Sequence, residues 1–211
     1  MRLIPLASFP AQALSECRDH SALEDFLVGL SSSRIPGEFG NAVTAIADAA
    51  FPLLASVDVA YLEIRDSDVA ASGLSDWDQQ VLRKTILHGD ASHLATWPPL
   101  VIVAEGLLAR EDFHEKGYII IHELVHVEQR VRGDLVYDEE ERLRWKGEDV
   151  TDRMESIGAG LAARDTGAQL AYLELPWEAE AHQRTNGLEW WEAEVERLRS
   201  VVSHEALPRF K

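Results

Sequence analysis

The sequence predicts an α+β fold, a compact domain in which a small sheet packs on one long apolar helix and the rest is largely helical. Three observations carry this. A nearly all-apolar helical pattern runs from Phe113 to Arg132; two short β-type runs, Val59 to Ile64 and Leu100 to Ala104, precede it; and a strand-like pair follows it. A chain of 211 residues can bury a core without disulfide staples, so residues 1–211 read as a single domain, with a helical and strand part over 1–110 and a site-bearing part over 111–211.

The elements follow in order. Residues 21–30 and 38–57 read as helices, the second carrying Val43, Ile46, Ala47, Ala50 and Leu54 at helical spacing after the break at Ile35-Pro36-Gly37. Val59 to Ile64, bounded by Asp58 and Asp66, suits a strand. A helix from Ser75 to Leu87 opens on the capping residues Ser75 and Asp76. Trp97-Pro98-Pro99 punctuates the chain before the second strand, and Gly133 is suited to end the long helix. Leu135 to Tyr137 and Arg142 to Trp145 pair as a hairpin across Asp138-Glu139-Glu140, with Leu143 and Trp145 alternating with Arg142 and Arg144. Residues 151–170, rich in Gly, Ala and polar groups, fit a loose helix or a loop equally well. Trp177 to Val202 is helical in pattern, with a break at Asn186-Gly187 and an apolar stripe of Leu188, Trp191, Val195 and Leu198.

Composition narrows the function classes. Acidic residues outnumber basic ones 37 to 20, and a formal charge of −17 repels a phosphate backbone, so nucleic acid is not an expected partner. No apolar run reaches the roughly 18 residues of a membrane span. The apolar residues Leu3, Ile4, Leu6 and Phe9 faintly imitate a secretion signal, but the run is short and Pro5 and Pro10 interrupt it, so secretion is not the expectation. The lone cysteine, Cys17, has no partner for an internal disulfide, and a small buried apolar role in a cytoplasmic protein is the expectation.

The chemistry sits in His122-Glu123-Leu124-Val125-His126, an H-E-x-x-H pattern. On a helix the two histidines lie one turn apart on the same face, so both imidazoles can meet one metal ion. Glu123 lies about 100° around the helix, where its carboxylate misses the metal and reaches a water beside it. The flanks Tyr118, Ile119, Ile120, Ile121, Leu124, Val125 and Val127 mark a buried helix, and buried polar groups need partners. His114-Glu115 lacks a second histidine four residues after the first and reads as a surface pair. His20, His88, His93 and His204 are isolated and read as surface or satisfied residues.

The stretch Tyr118 to Gln129, YIIIHELVHVEQ, resembles the active-site helix of zincin metallopeptidases. Pro176-Trp177-Glu178-Ala179-Glu180-Ala181 resembles a downstream segment of small bacterial zincins of gluzincin type. The resemblance covers these two helices and the hairpin between them, and implies a zincin-like domain with Zn2+ as cofactor. It implies Glu178 as third ligand; where gluzincins often carry an aspartate four residues further on, this chain has His182. Glu178, Glu180 and His182 can all bind zinc, but on a helix Glu180 points about 200° away from Glu178, toward solvent, whereas His182 returns to the same face. Tyr172, just upstream, is a candidate donor to an oxyanion.

With His122, His126 and Glu178 as ligands, the expected reaction is peptide-bond hydrolysis: a metal-activated water attacks a peptide or protein substrate and Glu123 acts as general base. Two other classes share these features. A two-histidine, one-carboxylate set also holds non-haem iron in oxygenases, and a regulatory or binding protein can retain a little-used zincin site. Glu123 favours hydrolysis, which needs a base beside the metal.

Overall fold

The computed structural model describes residues 1–4, 18–33, 37–83, 92–96, 99–109, 111, 113–138, 140, 142–185 and 188–205. Cys17, His88, Trp97, Pro98, Asn186 and Gly187 lie outside them, as do the side chains of His20, His93, His114, Glu115 and His204. The fold is α+β, with small sheets among many helices. Two compact units make up the chain, Met1–Val131 and Arg132–Lys211. Among the described residues no helix is long and apolar enough to cross a membrane.

The first unit is built on a four-stranded sheet of β1 (Arg2–Ile4), β2 (Asp58–Ile64), β4 (Pro99–Ala104) and β3 (Ser92–Thr96), in that spatial order. The first three run parallel and β3 is antiparallel to β4. Central β2 is buried along nearly its whole length, which is why it reads as a continuous apolar run rather than an alternation. Its residues Ala60, Leu62 and Ile64 join Ile102 and Ala104 of β4 in a core with Leu23 and Leu27 of α1 (His20–Ser33). Val69 of α3 (Asp66–Ala70) and Val81 and Leu82 of α4 (Asp76–Leu82) complete it. Ser75 caps α4, its hydroxyl accepting from the Asp78 amide at 3.2 Å.

The helix expected over 38–57 ends early. α2 spans Glu38–Ala50; Phe51 leaves helical geometry at φ −129°, and a single 3-10 turn covers Pro52–Leu54. Pro52 is the physical reason, since proline has no amide to donate and its ring clashes with the preceding turn. Strand β1 uses apolar residues that otherwise read as a weak signal-like run, while β3 and the short α5 (Glu105–Ala109) lack a clear sequence pattern.

Helix α6 (Phe113–Val131) closes the first unit. It packs with α2 and the 3-10 turn and lies against β3 and β4, so a small sheet does pack on this helix. Ile120, Leu124, Val125 and Val127 are buried. The burial is less apolar than the sequence suggests, because Glu128 and Gln129 are buried with them.

In the second unit Gly133, at φ +77°, turns the chain into a three-stranded sheet of β5 (Leu135–Tyr137), β6 (Leu143–Trp145) and β7 (Glu148–Asp149). The expected hairpin is present, with Leu135 opposite Trp145 and Tyr137 opposite Leu143. A second hairpin joins β6 to β7 through Lys146 and Gly147, at φ 49° and 87°. Both central residues then have positive φ, the geometry of a two-residue turn whose twist matches its strands.

Asp138, between β5 and β6, accepts hydrogen bonds from the Arg142 amide at 2.9 Å and from Arg144 Nε at 2.6 Å. Partial desolvation pushes its carboxyl up, but these bonds and the Arg142 charge outweigh it and hold the pKa at about 2. A depressed carboxyl contributes stability above its unfolded value and loses it as pH falls through its folded value. Asp138→Asn is therefore expected to be less stable than the parent chain at neutral pH, with the difference shrinking between pH 3.8 and about 2. Urea unfolding of both chains across that range checks it; a gap independent of pH would exclude ionisation as its source.

Residues 151–170 resolve as helix: α7 (Thr151–Ala162) and α8 (Thr166–Leu173). Arg164, at φ 58°, ends α7, and Asp165 caps α8 by accepting from the Ala168 amide at 2.7 Å. The two helices cross so closely that a Cβ on Gly160 would lie 2.4 Å from Ala168 Cβ. The last segment forms α9 (Pro176–Arg184), with proline in its first turn, and α10 (Leu188–Glu205). Leu143, Trp145, Val150, Ile157, Leu175 and Trp177 form the core of the second unit, with the indoles of Trp145 and Trp177 5.5 Å apart.

Candidate metal centre

The candidate residues fall in both units, with His122, Glu123 and His126 in the first and Tyr172, Glu178, Glu180 and His182 in the second. In the first unit the helical spacing of α6 brings His122 and His126 together. Their rings meet edge to face with centroids 4.9 Å apart, and the two Nε2 atoms lie 3.2 Å apart. Zinc–imidazole bonds are about 2.0–2.1 Å, so two nitrogens at that separation would subtend roughly 100–105° at a shared ion, close to tetrahedral. That span suits a shared ion, and the same two nitrogens are within hydrogen-bonding distance of each other. Tyr118, one turn earlier, stacks on His122 at 6.2 Å between centroids. Glu123 is half-buried beside the pair in sequence, one step around the helix.

His126 makes a contact that the motif does not announce. Its Nδ1 lies 2.9 Å from Gln129 Oε1. An amide oxygen only accepts, so this contact is a hydrogen bond when Nδ1 carries the ring hydrogen. Gln129 is fully buried, at 0% exposure, and follows His126 by three residues on the same helix face.

In the second unit α9 carries Glu178 and His182 one turn apart, both buried. Each offers a metal-binding atom, the two within 4.8 Å of each other. The Tyr172 hydroxyl donates to Glu178 Oε1 at 3.0 Å. His182 packs against two indoles of α10, 5.7 Å from Trp190 and 6.2 Å from Trp191 between centroids. Trp191 is anchored in turn by its Nε1 hydrogen bond to the Leu173 carbonyl at 2.9 Å.

Glu180 departs from its expected place in solvent. Its side chain is only 24% exposed and accepts from Arg132 Nη2 at 2.8 Å, while Arg132 also holds Asp134. The 200° rotation from Glu178 is real helix geometry; it directs Glu180 to a guanidinium at the start of the unit. Glu180 therefore serves an ion pair.

Comparison of the chain with protein families, with curated proteins and with solved structures returns no match.

Proposed function

We propose that this chain is a zinc-dependent peptidase in which His122, His126 and Glu178 hold one ion and Glu123 is the general base. The observation that carries the reading is the His122–His126 pair, with its Nε2 atoms 3.2 Å apart. Support for Glu178 comes from its burial, its hydrogen bond from Tyr172 and its position in the Pro-Trp-Glu-Ala-Glu-Ala resemblance. When bound, zinc would lower the pKa of a water and polarise a peptide carbonyl. The Glu123 carboxylate takes the proton of the attacking water and passes it to the leaving amine. Tyr172 holds the Glu178 carboxylate, and donating to an oxyanion would require it to exchange that hydrogen bond. The substrate is a peptide or protein, and the lone cysteine agrees with a cytoplasmic setting.

The test begins with metal content. About one zinc per chain is expected, with cleavage of denatured casein that stops on chelation and returns with zinc. Iron as the only metal after anaerobic purification, with oxygen-dependent turnover, would instead make the chain an oxygenase. The third ligand is separated by chelator competition on three alanine variants. Glu178→Ala should lose the most zinc affinity, His182→Ala less and Glu180→Ala almost none. Wild-type affinity in Glu178→Ala together with loss in His182→Ala would make the site a three-histidine one.

A further inference from the structure

We propose that Gln129 is a positioning residue for the metal centre, fixing the tautomer of His126. This rests on the zinc reading for its consequence, though its structural basis is independent of any metal. Neutral histidine has two tautomers, and in water the hydrogen is free to sit on either nitrogen. Only the form with hydrogen on Nδ1 leaves the Nε2 lone pair toward His122. The Gln129 carbonyl oxygen, 2.9 Å from Nδ1, selects that form.

Burial makes the selection strong. Gln129 is wholly excluded from water, so no solvent competes for its amide oxygen. A glutamine so placed is a costly core residue unless its polar atoms are used. Groups that orient metal-binding histidines in this way are typically worth about ten- to a hundredfold in metal affinity. A neutral amide, unlike a carboxylate, orients the ring without adding charge to a helix that already holds Glu123 and Glu128.

Two readouts on the full-length chain test this. The first is the 15N spectrum of the His126 ring in the metal-free chain at about pH 8, above the ordinary histidine pKa. Hydrogen on Nδ1 is expected in the parent chain, and a shift toward the Nε2-protonated form in Gln129→Met, which keeps length and volume but lacks a strong acceptor. Hydrogen on Nε2 in the parent chain overturns the proposal even if no variant folds. The second is zinc affinity by chelator competition: a loss of about ten- to a hundredfold in Gln129→Met, with most of it restored in Gln129→Glu, which returns an acceptor. Parent-like affinity in Gln129→Met also overturns it. A parent chain that binds no zinc but holds hydrogen on Nδ1 sinks the peptidase reading and leaves the tautomer assignment standing.

Discussion

Changing His122 and His126 together to alanine is expected to remove zinc entirely, taking the chain from about one ion to none. Each imidazole supplies one of three protein ligands in the proposed site, and the 3.2 Å between their Nε2 atoms is compatible with a shared ion. With both gone, only Glu178 of the proposed ligands remains, and even with His182 beside it the donors are too few for the three-ligand site that holds zinc tightly. The loss extends to stability. An ion present at a thousand times its dissociation constant stabilises the native chain by about 4 kcal/mol, so zinc should raise the melting temperature of the parent chain and leave the double variant unmoved. Elemental analysis and paired thermal melts check both parts. Full zinc occupancy in the double variant would remove these histidines from the site.

Glu123→Gln is expected to bind zinc like the parent chain while hydrolysing peptides at least about a hundredfold more slowly. The amide keeps the shape of the carboxylate and its half-buried position on α6, but it cannot take a proton from water. Because Glu123 lies about 100° from the histidine face, its change leaves the ligands untouched. Casein cleavage at matched zinc content separates the two effects. Turnover equal to that of the parent would refute the general-base role, and zinc loss would instead make Glu123 a ligand.

Much of this was legible because it depends on local periodicity. The run of β2, the hairpin after Gly133 and the span of α6 all follow from apolar spacing and turn residues, as does the meeting of His122 and His126 one turn apart. What escaped depends on context. Strand β1 is three residues long and gains its structure from pairing with β2. Helices α7 and α8 have small and polar residues whose order comes from packing on each other. Glu180 has the composition of a surface residue, and only the fold supplies Arg132 to meet it. Gln129 lies outside the H-E-x-x-H pattern, and only its burial and its contact with His126 distinguish it from other polar residues at the same spacing.

The close crossing of α7 and α8 carries a liability at a residue with no chemistry of its own. Gly160 and Ala168 leave no room for a methyl group between the helices, and Tyr172, which steadies Glu178, is on the same helix as Ala168. A side chain at Gly160 would lever α8 outward and draw the phenol from the carboxylate. Natural variation should thus be as restricted at this plain glycine as at a chemical group, and a search for loss-of-function alleles should find it although nothing in its own chemistry advertises a role.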